Sequence, residues 1–137
     1  MASEPAGRIQ VTFTPEFKRN LRQLAKKYRH IQTDLDPCLK ELVSGKTPGD
    51  RIQRTDYEIY KVRLKNSDAR KGKSGGYRVI YWKKTATELV LVTIYSKTEQ
   101  ADVSANEISQ IISDHDSATS QKLESNDQDS SNAEIDS

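Results

Sequence analysis

Between Tyr57 and Ser96 the chain alternates and clusters in the manner of strands, interrupted by one long loop and one short turn. Tyr60, Val62 and Leu64 alternate with Lys61, Arg63 and Lys65. Successive strand side chains point to opposite faces, so this segment has one apolar and one cationic face. Tyr77–Trp82 (YRVIYW) is aromatic and β-branched on both faces, as a central strand is. Glu88–Ser96 (ELVLVTIYS) pairs back on it across a turn at Lys84–Thr87. Three such runs predict a sheet whose apolar back is covered by helices and whose cationic front is open to a ligand.

The preceding sequence supplies the cover. Ile9, Val11 and Phe13 alternate with Gln10 and Thr12, which predicts a first strand. Thr14-Pro15-Glu16 then reads as an N-cap, a proline at the first helical position and an acid in the first turn. The helix so started places Phe17, Leu21, Leu24 and Tyr28 on one face. Lys18, Arg19, Arg22, Lys26 and Lys27 fall on the other, most simply a solvated face. A second helix carries Ile31, Leu35, Cys38, Leu39 and Leu42. Pro37 is expected to confine its start to Asp34–Asp36 or to kink an earlier turn, and Gly45 to stop it. Lys46–Gln53 reads as a loop. Ser104–Ser113 predicts a short last helix with Ser104 as its cap and Ile108, Ile111 and Ile112 on its apolar side. The order β-α-α-β-β-β-α is that of an α+β domain, with an N-terminal strand and an αα-hairpin packed on an antiparallel sheet.

At 137 residues the chain suits one domain. The expected division is a flexible leader over 1–7, the folded domain over 8–115 and a disordered acidic tail over 116–137. Residues 1–115 carry 21 Lys/Arg against 14 Asp/Glu, whereas residues 116–137 carry one lysine against six acids, so a basic body is masked by an acidic tail. That tail is too poor in apolar residues to offset the entropy of ordering it. The single cysteine, Cys38, excludes an internal disulfide and a cysteine-based zinc cluster. No cofactor or metal is expected. The sequence shows neither a signal peptide nor an apolar run of membrane-spanning length, so a cytoplasmic protein is expected.

The stretch Lys61–Lys84 (KVRLKNSDARKGKSGGYRVIYWKK) carries nine cations in 24 residues against one acid, Asp68. Cations at this density repel one another, and a polyanionic partner relieves that. The loop glycines let backbone N–H groups approach phosphates. RNA or another phosphate-bearing target follows. If the strands pair in sequence order, Lys61, Arg63, Arg78, Tyr95 and Lys97 converge on one face. Thr93, Tyr95 and Lys97 are taken to lie together there, opposite Val92 and Ile94. Lys65, Lys71 and Lys73 would rim it, and Trp82 is either packing or a platform for a base. His30 and His115 fall outside it, which argues against a two-histidine ribonuclease mechanism.

The segments YKVRLK, SGGYRVIYW and LVTIYSKTEQADVS resemble the RelE superfamily of toxins from type II toxin–antitoxin modules, and within it the HigB-like branch. The resemblance spans about residues 9–112. It implies a ribosome-dependent mRNA endonuclease neutralised by a cognate, DNA-binding antitoxin, with mRNA in the ribosomal A site and ribosomal RNA as its other partners. Lys61 and Arg63 match the family's alternating basic pair, Arg78 the arginine of its GYR segment, and Lys97 and Glu99 the charged turn after the last strand. Some members carry a further arginine in this turn and a catalytic tyrosine soon after it. Neutral residues stand there in this chain, near Thr98, Gln100 and Ser104, and Tyr95 is the nearest aromatic.

RNA supplies its own nucleophile, the 2′-OH. In such a reaction Arg63 and Arg78 would clamp the phosphate bidentately, Lys61 or Lys97 would act as a base, and Tyr95 would donate a proton or stack on a base. Two alternatives stand beside this reading. One is a ParE-like toxin that inhibits DNA gyrase without nuclease activity. The other is a catalytically decayed relative that still binds RNA or antitoxin.

Overall fold

A computed structural model describes residues 9–53, 55–68, 76–100 and 102–116. The leader, the acidic tail and the loop lysines Lys71 and Lys73 lie outside the described residues. The elements are β1 (Gln10–Phe13), α1 (Pro15–Lys27), α2 (Ile31–Val43), β2 (Asp50–Arg51), β3 (Ile59–Leu64), β4 (Tyr77–Thr85), β5 (Glu88–Ser96) and a last helix, α3, over 105–116. The strands form one sheet in the order β1-β5-β4-β3-β2. Strands β2 to β5 are antiparallel neighbours, and β1 joins the far edge parallel to β5, with Gln10 opposite Glu88 and Phe13 opposite Leu91. The short β2 lies within the stretch expected to be a loop.

Helix α1 starts where its capping signal stands. The Thr14 hydroxyl oxygen accepts from Phe17 N at 3.0 Å, and the same hydroxyl donates to Val92 O at 2.7 Å, so one side chain caps the helix and fastens it to β5. Helix α2 begins at Ile31, earlier than Pro37 suggested. Proline at this position removes one hydrogen bond to the carbonyl four residues back. The first turn persists because Ile31 and Leu35 are fully buried and dock it to the core. Its end is a Schellman cap. Gly45 N donates to Leu42 O at 3.1 Å and Lys46 N to Glu41 O at 3.0 Å, with Gly45 at φ 96°.

Two apolar layers flank the sheet. Behind it, Phe17, Leu24, Ile31, Leu35, Cys38 and Leu42 of the hairpin pack on Tyr77, Val79, Tyr81, Leu91 and Ile94. In front, Ile108 and Ile112 of α3 pack on Ile59, Ile80, Val90 and Val92. The front is therefore not open along its whole length. Helix α3 lies over the part of the sheet nearest the β4–β5 turn; toward the opposite end Arg63 is exposed, whereas Arg78 and Tyr95 are buried. It is capped by a reciprocal Ser104–Glu107 box, in which Glu107 N donates to Ser104 Oγ at 3.1 Å and Ser104 N to Glu107 Oε1 at 3.1 Å.

Gly49 shapes the edge of the sheet. Its φ is 94°, and a Cβ built there would lie 2.4 Å from the Lys61 carbonyl oxygen and 3.0 Å from Val62 Cα. Only a glycine lets this loop lie directly on the backbone of β3.

Candidate active site

One row crosses the three central strands at the end of the sheet opposite the β4–β5 turn. Arg63 of β3 stands opposite Arg78 of β4, which stands opposite Tyr95 of β5. Two arginines directly across a strand pair repel each other. Among the described residues no carboxylate lies within ion-pair distance of either. Arg63 is exposed, whereas Arg78 is 6% exposed, with its Nη1 donating to Tyr77 O at 3.2 Å. The row thus sets an exposed arginine beside a buried one, with no carboxylate paired to either among the described residues.

Lys61 lies one alternation below Arg63, and Lys97 follows β5. Both converge on Asp102, at 3.7 Å from Oδ2 and 3.3 Å from Oδ1 respectively. The Tyr95 hydroxyl donates to Asp102 Oδ1 at 3.1 Å. Burial, and then this hydrogen bond, pushes the Tyr95 hydroxyl up to about 12, so at neutral pH it holds its proton. Burial works to raise the Asp102 carboxyl, but the Tyr95 hydroxyl and the Lys97 and Lys61 ammonium groups outweigh it and hold the carboxyl below the usual range.

The sequence reading missed Asp102. Its segment carried the family resemblance, yet it sits in the irregular connection between β5 and α3, where no periodicity points a side chain anywhere.

The five residues expected to converge (Lys61, Arg63, Arg78, Tyr95 and Lys97) do share this end of the sheet. One supporting assumption does not hold. The register of β4 and β5 shifts between Ile80 and Tyr81, which leaves Val92 as the extra residue of a bulge. Val92 consequently packs in the front layer rather than behind with Ile94, while Thr93 stays opposite Ile80 and Tyr95 opposite Arg78. The Thr93 hydroxyl accepts from Asn20 Nδ2 at 3.0 Å.

Lys65 is exposed just beyond β3 and can reach the rim. Trp82 is not a surface platform. It is 7% exposed, buried in the front layer with the Tyr57 ring edge-on at 5.3 Å, because α3 covers that end of β4. Glu99 anchors the turn after β5 to α1. It takes the Lys27 ammonium at 2.7 Å and the Tyr28 hydroxyl at 2.8 Å, and these hold its carboxyl below the usual range.

His30, between α1 and α2, holds its Nδ1 2.7 Å from Asp68 Oδ1, and His115 lies at the end of α3. Among the described residues neither is hydrogen-bonded to Arg63, Arg78, Lys61, Tyr95 or Lys97. Among the described residues no cluster of metal-binding side chains occurs.

A sequence model of the family described as RelE toxin of RelE / RelB toxin-antitoxin system matches residues 16–135. The chain belongs to the RelE toxin family. No curated protein matches it. Membership makes it the toxin of a toxin–antitoxin system, with a cognate antitoxin as its partner, and the sheet with its helical hairpin is the RelE-like fold expected from the sequence. Among the described residues of this RelE-family toxin, no helix is long and apolar enough to cross a membrane.

Proposed function

We propose that this RelE-family toxin is a ribosome-dependent endonuclease that cleaves mRNA in the ribosomal A site. The observation that carries the reading is the row of Arg63 and Arg78 beside Lys61, Lys97 and the Tyr95 hydroxyl, at the end of the sheet opposite the β4–β5 turn. Two arginines in register supply guanidinium donors of the kind that bind a phosphodiester and stabilise the charge that builds on its oxygens as the 2′-OH attacks. The Tyr95 hydroxyl, pushed up to about 12 by burial, carries its proton at neutral pH and can deliver it to the leaving 5′ oxygen. Among the described residues no histidine stands on this face to take the 2′-OH proton. Holding the mRNA in line for attack therefore supplies much of the rate, and that is the ribosome's contribution.

The test is induction of the toxin in cells with genome-wide mapping of mRNA 5′ ends, beside Arg78→Ala. New ends clustered within translated codons, lost in the variant, are the expected outcome. Growth arrest without new ends would refute the nuclease and support gyrase inhibition. New ends that persist in Arg78→Ala would refute the site.

A further inference from the structure

The arginine row lacks a counterion among the described residues, but the neighbouring donors have one. Lys61, Lys97 and Tyr95 come from β3, the turn after β5 and β5 itself, and all three aim at the single carboxylate of Asp102. Tyr95 is 3% exposed, so its hydroxyl has a fixed direction, whereas the Asp102 side chain is 49% exposed and projects from an exposed turn. The buried donor is Tyr95, Lys61 and Lys97 are partly exposed, and the acceptor is the most exposed of the four. A carboxylate held by two ammonium groups and a hydroxyl occupies the position that a phosphate oxygen would take on the same donors. Two anions cannot share those donors at 3–4 Å without strong mutual repulsion.

We propose that Asp102 holds the anion position of this face in the free toxin and that a phosphodiester must displace it to engage Lys61, Lys97 and Tyr95. Asp102 thereby sets the affinity of the site: it keeps the donors gathered and oriented while no substrate is present, and it competes with the phosphate when one arrives. The inference deepens the nuclease reading and rests on it for the identity of the phosphodiester. The competition itself is a property of the donors and the carboxylate.

The test titrates inorganic phosphate into the full-length toxin and into Asp102→Asn, with side-chain NMR signals of the lysines and of Arg63 as the readout. Asp102→Ser is a second variant that keeps a hydrogen-bond acceptor should the amide disturb folding. Loss of one partly exposed competing charge is expected to tighten phosphate binding about 5- to 10-fold, an effect that shrinks as salt is raised. In a cleavage assay the same variants are expected to lower KM. Equal or weaker phosphate binding in both variants overturns the proposal, as does the absence of phosphate binding in either. A change in thermal midpoint with unaltered phosphate affinity assigns Asp102 a structural role and also overturns it. A fall in kcat with unaltered phosphate affinity makes Asp102 a proton-transfer group and overturns it as well. The phosphate titration involves no ribosome and no cleavage, so a toxin that leaves mRNA intact would refute the nuclease reading while the competition still stood or fell by itself.

Discussion

Gly45 and Gly49 offer a controlled comparison, because they share a positive φ, 96° and 94°, and differ in what surrounds them. A Cβ at Gly45 meets nothing within 4 Å, whereas a Cβ at Gly49 would sit 2.4 Å from Lys61 O and 2.8 Å from Lys61 C. Gly45→Ala therefore incurs only the left-handed backbone penalty, about 1–2 kcal/mol. Gly49→Ala incurs the same penalty plus the cost of lifting the loop off β3, for which overpacking values of about 1–3 kcal/mol apply. The clash cannot be relieved by a rotamer change, since the opposing atoms are backbone. Thermal unfolding followed by circular dichroism reads the difference. At roughly 4 °C per kcal/mol for a domain of this size, Gly49→Ala should melt roughly 4–12 °C below Gly45→Ala. Because the displaced atoms belong to Lys61, Gly49→Ala should also weaken phosphate binding at the end of the sheet opposite the β4–β5 turn, while Gly45→Ala should not. Equal melting temperatures for the two variants would refute the claim that close approach, rather than φ alone, requires glycine at position 49.

Thr14→Ala removes both the α1 cap and the bond to Val92 O, and a loss of about 2 kcal/mol is expected in urea unfolding. Thr14→Ser should recover most of it. The Glu99 carboxyl is held below its ordinary value by Lys27 and Tyr28, so its contribution to stability is present above the ordinary carboxylate range and is lost as pH falls through the depressed folded value. Urea midpoints measured from pH 6 down to pH 3 should accordingly fall less steeply in Glu99→Gln than in the natural chain. Cys38 is 3% exposed and burial pushes its thiol up to about 11, so a thiol reagent at pH 8 should leave the folded toxin unmodified and label it only on unfolding.

The parts of the fold legible in the sequence were those governed by a period or a cap. Alternation at Tyr60, Val62 and Leu64 put Lys61 and Arg63 on the front, and Thr14-Pro15-Glu16 and Gly45 marked helix ends where they stand. What escaped was set by tertiary contacts. A bulge carries no signature in ELVLVTIYS, so the face of Val92 was misjudged while that of Tyr95 was not. The early start of α2 depends on Ile31 finding the core, which outweighs the local effect of Pro37. Trp82 reads alike as core or platform until α3 is seen to cover it. Asp102 was invisible for a different reason: its role arises from a turn that brings it to three side chains on other elements, a convergence that sequence spacing does not encode.

The place of β5 in the sheet has a consequence for synthesis. This strand is the last to be made, yet it pairs with both β1 and β4, accepts the Thr14 cap at Val92 O and contributes to both apolar layers. Gln10 waits for Glu88, so the first strand has no partner during most of translation. Such late closure of a long loop is slow and leaves earlier segments exposed. A nascent chain that stops before Glu88 cannot assemble the row of Arg63, Arg78 and Tyr95, so this face forms only once β5 has been made.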